Sequence, residues 1–190
     1  MSCAGAAGRN RRCDWSGVPW HQDTTYANFG GGRHVRAWVA FTDSHSGNGC
    51  MRVIKGSHRQ QLRHVETPDD DNNILFRKES IAETIDESRA ADLTLKAGEM
   101  SVHDYGVVHG SNSNESDDRR IGFAIAFVTP DSLAPGERET VMLVRGREAT
   151  GQWDLELRPK ADQGPDAQAE HARAMATRSA VFFDQDASTA

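Results

Sequence analysis

A chain of 190 residues can bury a hydrophobic core and fits one domain. Its formal net charge of −6, from 28 acidic and 22 basic side chains, argues against a nucleic-acid or anionic-membrane surface, because phosphate binding depends on clustered cations. Three cysteines without CxxC spacing favour reduced thiols and a cytoplasmic location over a disulfide framework. No apolar run approaches the roughly 20 residues of a membrane span, so a small molecule is the predicted partner.

The first 17 residues, MSCAGAAGRNRRCDWSG, have no hydrophobic period and predict a flexible lead. A single domain is expected over 18–190. Its predicted strands, in chain order, lie at 34–41, at 50–54, from 92 to a turn at 96–98, and at 100–109, 120–128 and 141–144.

Two helices are predicted, a short one within 79–91 and a stronger one over 167–179, inside a C-terminal helical region of about 165–180. Several short strands separated by turn residues, with one strong helix at the end, indicate a mainly antiparallel barrel or sandwich. A small barrel of this kind can hold a ligand at its mouth.

A His-x-Asp pair opens the predicted domain, in Trp20-His21-Gln22-Asp23. Taken alone, such a pair is more often exposed or mutually hydrogen-bonded than part of a ligand set. On a strand, however, the two side chains face the same way, and a remote histidine would complete the two-histidine, one-carboxylate set of non-haem iron(II) oxygenases. Among the eight histidines, His109 is the natural third member.

Arg120 follows His109 at the beginning of an apolar strand. An arginine in this position usually ends in water. Inside the mouth of a barrel, its planar guanidinium would instead bind a carboxylate through two hydrogen bonds. A dicarboxylate co-substrate needs a group of this kind.

Five blocks in a fixed order, between about Pro19 and Val128, resemble the phytanoyl-CoA dioxygenase family of iron(II)- and 2-oxoglutarate-dependent oxygenases. The blocks are WHQD with a following strand that contains Trp38, NGCMRVIKGSHR (48–59), KAGEMSVHD (96–104), VVHGSNSN (107–114) and DDRRIGFAIAF (117–127). The resemblance implies a double-stranded β-helix, or jelly-roll, with a metal at its open end.

The same resemblance implies that His21, Asp23 and His109 bind Fe(II). The implied reaction uses 2-oxoglutarate and O2 to hydroxylate an unactivated C–H bond of a small molecule, with release of succinate and CO2. Halogenating relatives resemble this pattern but carry a small residue in place of the carboxylate. Because Asp23 is present, hydroxylation is expected rather than halogenation.

Three further positions are assigned to the co-substrate by the resemblance. Arg120 is expected to bind the distal carboxylate of 2-oxoglutarate, and Ser111 and Trp38 are expected to make additional contacts. Arg119 is one residue early and should face the other way along the strand.

Several polar residues have a structural and a functional reading. His58 is expected to fix the Gly-Ser-His-Arg turn rather than touch substrate, and His103, on one strand with His109, is expected to be a supporting or core histidine. Gln22 should point away from the metal. Thr25 and Tyr26 either line the substrate mouth or pack, and Asp69-Asp70-Asp71 lacks the spacing of a calcium loop and reads as a solvated loop.

Family members usually carry a substantial region before the His-x-Asp block, whereas His21 comes almost at once here. With that region apparently missing, an exposed sheet edge or apolar patch is expected, which would favour association into a homo-oligomer. Two other functions stay open: a catalytically impaired jelly-roll binding protein, and a cupin-like hydrolase or isomerase that uses zinc or manganese. The carboxylate clamp at Arg120 argues against the hydrolase.

Overall fold

The computed structural model describes residues 17–27, 30–67, 73, 75, 78–132, 139–148 and 150–183, with backbone alone at 26–27 and 177–183. Of the predicted flexible lead, only Gly17 is included. The acidic run Asp69-Asp70-Asp71 and the side chain of Tyr26 lie outside the described residues.

The described part of the chain is mainly β with a long C-terminal helix, as the sequence predicts. The strands are β1 His34–Ala40, β2 Met51–Ile54, β3 His64–Glu66, β4 Glu79–Ile81, β5 Ala90–Asp92, β6 Met100–Asp104, β7 His109–Ser111, β8 Gly122–Val128, β9 Thr140–Val141 and β10 Asp154–Leu155. The helices are α1 Thr24–Ala27 and α2 Pro165–Phe183, and short 3₁₀ turns occur at Ser46–Asn48, Ser57–Arg59 and Glu87–Arg89.

These residues form two compact units. The described residues of the first lie within 17–26 and 35–127, and those of the second lie within 27–34 and 128–183. One domain over 18–190 remains a prediction.

The first unit contains two three-stranded sheets, ordered β6-β1-β8 and β5-β2-β7, and the antiparallel pair β3-β4. Met51 and Val53 on β2 form a buried cluster with Val107, and Trp38 on β1 packs against it. The core therefore lies between the faces of the two sheets that carry Trp38 and Val53, as expected for stacked β layers.

Two glycines allow close approach of neighbouring segments within this unit. A Cβ at Gly122, on β8, would lie 2.1 Å from the ring of Trp38, and one at Gly110, on β7, would lie 2.8 Å from the carbonyl oxygen of Val18. Neither space admits a side chain, so glycine at these two positions lets Trp38 and the segment before His21 reach their places.

Four predictions of secondary structure are wrong, one of which is the strand over 141–144, reduced to Val141 at the end of β9. Residues 79–91 contain β4, a 3₁₀ turn and the beginning of β5 instead of a helix. The predicted strand 100–109 is two strands in different sheets, because the chain turns at Tyr105-Gly106. The strand predicted from Asp92 to the 96–98 turn is reduced to the end of β5 and a bridge between Leu95 and Ser44.

The second unit contains the parallel pair β9-β10 and helix α2. Pro165 begins the helix, where its missing N–H costs no hydrogen bond, and Glu170 in its second turn accepts a hydrogen bond from the Leu157 N–H at 3.1 Å. Among the described residues, no helix combines the length and apolarity needed to cross a bilayer.

Candidate metal centre

His21 and His109 lie side by side because their backbones form a two-way bridge. The His21 N–H donates to the His109 carbonyl at 2.9 Å, and the His109 N–H donates to the His21 carbonyl at 3.0 Å. This pairing brings the two imidazole rings close together, with centroids 4.1 Å apart.

Asp23 lies beside these two rings, but its backbone does not have the strand conformation that the sequence predicts. The His-x-Asp pair does not lie on a strand: only His21 is bridged, and Asp23 is in the turn that leads into α1. The expected alternation of a strand is therefore wrong here, although the predicted convergence of the three side chains occurs.

The donor atoms of His21, Asp23 and His109 lie within 4.8 Å of one another, and all three residues are buried. His21 Nε2 is 3.8 Å from Asp23 Oδ1, and His109 Nε2 is 4.0 Å from Asp23 Oδ2. Two imidazole nitrogens and a carboxylate on one side, converging at this distance, can hold a divalent transition metal.

The second nitrogen of each ring fixes its tautomer. His21 Nδ1 lies 2.9 Å from the Pro19 carbonyl, and His109 Nδ1 lies 3.0 Å from the Val107 carbonyl. A carbonyl oxygen only accepts, so each Nδ1 carries the proton and each Nε2 lone pair faces Asp23. Backbone carbonyls orient metal-binding histidines in this way.

Burial also keeps these imidazoles neutral. Desolvation lowers the pKa of His21 below its ordinary value, and it lowers the pKa of His109, with the neighbouring His21 as the next cause, to about 4. The donor set at neutral pH is thus two neutral nitrogens and one carboxylate, which fits a divalent metal without displacement of protons from the rings.

Gln22 lies between His21 and Asp23 in the sequence, and its side chain points away from them, as predicted. It also makes hydrogen bonds that the sequence did not indicate. Its side chain is fully buried. The amide donates to the carbonyls of Gly106 at 2.6 Å and Gln60 at 2.9 Å, and accepts from the Leu62 N–H at 2.8 Å. These bonds tie the His-x-Asp turn to two other loops.

Trp38 and Arg120, both assigned to the co-substrate by the resemblance, contact each other. The Arg120 guanidinium carbon lies 5.5 Å from the Trp38 ring centroid, within cation–π range. Burial lowers the pKa of Arg120, and among the described residues no carboxylate forms an ion pair with it. Arg119 is exposed and contributes its carbonyl to the Thr42 hydroxyl instead.

Ser111 and His58 differ in their contacts: the Ser111 hydroxyl makes a hydrogen bond, and the His58 side chain is exposed. The Ser111 hydroxyl accepts from the Val18 N–H at 3.1 Å, so it holds the segment before His21 and keeps its own proton available. The His58 side chain is exposed. Ser57, not His58, fixes that turn, because its hydroxyl donates to the Ile54 carbonyl at 2.7 Å and accepts from the Val108 N–H at 2.8 Å.

His103 supports the centre from the opposite sheet. It is buried, and its ring centroid lies 5.1 Å from that of His109, although the two residues are on different strands. Desolvation lowers its pKa to about 4. The Thr25 hydroxyl contacts His64 Nδ1 at 3.1 Å.

Arg36 is a residue of this centre that the sequence reasoning missed. Its Nε lies 2.5 Å from Asp23 Oδ2. Arg36 is two residues before Trp38 on β1, so the period of a strand places both on one face, and that spacing was the available signal.

Comparison with known proteins agrees with this geometry. The phytanoyl-CoA dioxygenase (PhyH) family model matches residues 14–122. The chain is 30% identical over 117 residues to a phytanoyl-CoA dioxygenase domain-containing protein 1 homolog of Dictyostelium discoideum, covering 60% of this chain and 42% of the relative. It is 32% identical over 117 residues to the ectoine dioxygenase of Halomonas elongata, covering 55% of this chain and 35% of the relative.

Among solved structures, the apo form of the non-heme monooxygenase ThoJ matches with a TM-score of 0.76 at 35% identity, over 88% of this chain and 62% of that chain. The ThoJ–Ni complex matches with a TM-score of 0.69 at 31% identity, over 88% and 59%. These matches confirm the jelly-roll fold class. The chain spans less than half the length of the two curated relatives.

Proposed function

The chain belongs to the phytanoyl-CoA dioxygenase family, and on that premise we propose that it is an iron(II)- and 2-oxoglutarate-dependent dioxygenase that hydroxylates an unactivated C–H bond of a small molecule. One atom of O2 enters succinate as 2-oxoglutarate loses CO2, and the other enters the substrate as hydroxyl. The observation that carries the proposal is the convergence of two neutral imidazoles, each with Nε2 turned inward, on one buried carboxylate.

In this proposal, His21, Asp23 and His109 hold the iron, which supplies the activation of dioxygen that no amino-acid side chain provides. Asp23 Oδ2 is buried and makes no hydrogen bond with the described residues. Its neighbour Arg36 Nε lies 2.5 Å away without hydrogen-bond geometry, so the carboxylate can still take a metal together with the two inward Nε2 atoms, a donor set that fits a divalent transition metal.

Arg120 and Trp38 bind the co-substrate in this assignment. The guanidinium, held against the indole and partly desolvated, matches the planar geometry of a carboxylate. A metal-dependent hydrolase or isomerase gives no reason for such a clamp. Ser111 can donate its free hydroxyl proton to the same dicarboxylate.

Asp23 further favours hydroxylation over halogenation. A halide would need the coordination position that the Asp23 carboxylate takes. With this carboxylate in the centre, oxygen transfer to the substrate is the supported outcome.

The experiment is succinate formation from 2-oxoglutarate with Fe(II), ascorbate and oxygen, with a panel of candidate substrates to couple the reaction. The intact protein should release succinate, and Asp23→Ala should abolish it. Asp117→Ala is the matched control, because Asp117 is an exposed carboxylate outside the centre. Normal turnover by Asp23→Ala would contradict the assignment of Asp23 as a ligand. No turnover by the intact protein, even in the uncoupled reaction, would contradict the proposal and favour an idle binding protein.

A further inference from the structure

Arg36 is a side chain beside the metal centre to which the proposed co-substrate contacts assign no role. It lies on β1, where its cross-strand partner on β6 is His103. Both side chains are turned towards the metal-binding residues: Arg36 reaches Asp23, and His103 lies against His109.

The Arg36 guanidinium packs against an aromatic ring, and the Arg36 side chain is partly exposed to solvent. The guanidinium carbon lies 4.9 Å from the ring centroid of Tyr105, and the Arg36 side chain is 30% exposed whereas that of Asp23 is 9% exposed. Arg36 is thus a partly exposed cation beside a buried carboxylate, so a ligand in solution can reach its side chain.

Arg36 has a single anionic partner among the described residues. That partner is Asp23, at 2.5 Å from Nε, and the contact lacks hydrogen-bond geometry at both atoms. A metal that takes the Asp23 carboxylate therefore competes directly with Arg36 for the same charge.

When a metal and 2-oxoglutarate are bound, the other charges of the centre balance one another and leave Arg36 without an anion. As metal ligands, the imidazoles of His21 and His109 bind in their neutral form and add no charge. The negative charges of Asp23 and of the 2-oxoglutarate dianion are balanced by a divalent metal and by Arg120. A partly buried cation without an anion is unfavourable, so one more negative charge is needed beside Arg36.

His103 supplies a second, independent group at the same place. It is 9% exposed, and neither of its ring nitrogens has a hydrogen-bond partner among the described residues. A buried polar group of this kind is normally satisfied, and a neutral imidazole offers one N–H donor. The paired strands thus present a guanidinium and an imidazole N–H side by side.

We propose that Arg36 is a specificity residue that, with His103, binds an acidic group on the substrate once a metal has taken the Asp23 carboxylate. The substrate class is a small molecule that carries a carboxylate or a comparable oxyanion near the oxidised carbon. This inference rests on the proposed function, since it requires the metal and 2-oxoglutarate to be bound.

The test uses the whole chain loaded with Mn(II) and saturating 2-oxoglutarate, so that Arg120 is occupied. The probes are methanesulfonate, an anion that is a poor metal ligand, and methanesulfonamide, its neutral counterpart of the same shape. Because Mn(II) is paramagnetic, a probe bound near it shows faster relaxation of its methyl protons. Binding of Mn(II) and 2-oxoglutarate is measured first, by calorimetry.

The intact protein should accelerate the relaxation of methanesulfonate more than that of methanesulfonamide, by about tenfold for a charged hydrogen bond. Arg36→Gln should remove the difference, and Arg36→Lys should keep part of it. Arg119→Gln is the matched control, because Arg119 is exposed and outside the centre, and it should behave as the intact protein does. Thermal unfolding of each variant identifies any that fail to fold.

Equal relaxation of the two probes by the intact protein would overturn the proposal, as would a preference for the anion that survives in folded Arg36→Gln. Failure of Mn(II) and 2-oxoglutarate to bind at the first step is a different result. It would refute the proposed function, and the specificity role with it.

Discussion

Two backbone carbonyls orient the histidine rings in the candidate centre. Pro19 and Val107 accept from Nδ1 of His21 and His109, and this leaves both Nε2 atoms directed at Asp23. In each case the carbonyl belongs to the residue two positions earlier, so the arrangement is local to each segment. The geometry of the donor set is thereby preorganised before any metal is bound.

The pH dependence of stability follows from the buried imidazoles. His103 and His109 have pKa values lowered to about 4, against 6.5 in an unfolded chain. Between these values the unfolded chain binds more protons than the folded one, so stability is full above pH 6.5 and is lost as the pH falls towards 4.

We therefore expect the urea midpoint of the metal-free protein to decrease from pH 7 to pH 4. His103→Phe should flatten this dependence, and His58→Phe, at an exposed position, should leave it unchanged. An identical pH profile for His103→Phe and the intact protein would show that His103 titrates normally.

Replacement of Arg120 should weaken the binding of 2-oxoglutarate and leave the binding of the metal unchanged. Arg120→Ala should raise the 2-oxoglutarate concentration needed for half-maximal succinate formation by about 10- to 100-fold, the range for a lost bidentate charged pair. Metal affinity should stay near that of the intact protein. Arg119→Ala is the control, and an effect as large as that of Arg120→Ala would contradict the assignment.

At the scale of elements, the centre is assembled from three segments that are remote in sequence. The turn before α1 supplies His21 and Asp23, β7 supplies His109, and β1 supplies Arg36 and Trp38. Gln22 adds a side-chain connection between the first of these and the rest of the unit, since its amide satisfies groups of two further loops.

Gln22→Leu should destabilise the protein by about 3 kcal/mol, because it leaves buried carbonyl and N–H groups without partners. The loss should appear in urea unfolding, together with weaker metal binding. Gln60→Leu is the matched control, since the Gln60 side chain is exposed and only its carbonyl accepts from Gln22. Equal stability of Gln22→Leu and the intact protein would refute this role.

Local patterns predicted some of these elements and not others. The β-branched run of β1 and the apolar run of β8 lie within a residue or two of the predicted bounds. The break between β6 and β7 was missed, because the turn at Tyr105-Gly106 is stabilised by a remote residue, Gln22, through the Gly106 carbonyl. Short strands β4 and β5 likewise depend on their pairing partners more than on their own sequence.

The candidate ligands were predictable from the family resemblance, but the contacts of Arg36 were not. Trp38 and Arg36 share one face of β1, a relation visible in the sequence. That Asp23 would lie within reach of Arg36 depends on the bridge between His21 and His109, which joins segments far apart in the chain. Long-range pairing of this kind has no local sequence pattern.

At the scale of the whole molecule, the first unit carries an exposed apolar face on the sheet β6-β1-β8. Phe41 is 60% exposed, Met100 61%, Val102 58% and Phe123 56%. Phe41 and Phe123 stack with ring centroids 6.4 Å apart. The sequence led to the expectation of such a face, which is typical of a surface that is covered by another part of a protein or by a partner.

We expect the isolated chain to associate through this face as its concentration rises. Sedimentation velocity should show the weight-average mass increasing with concentration, and Met100→Lys with Phe123→Lys should shift the protein towards monomer. Lys55→Met with Lys96→Met, at exposed positions elsewhere, should have no such effect. A monodisperse 190-residue monomer that unfolds cooperatively would contradict this expectation.

The central claim is tested most directly by anaerobic titration of Mn(II) into the intact chain, with free Mn(II) measured by electron paramagnetic resonance. We predict one tight site per chain, lost when His21, Asp23 or His109 is replaced by Ala and retained in His58→Ala. Binding of 2-oxoglutarate should require that metal. A full equivalent of tightly bound Mn(II) in Asp23→Ala, or none in the intact protein, would contradict the assignment of the centre.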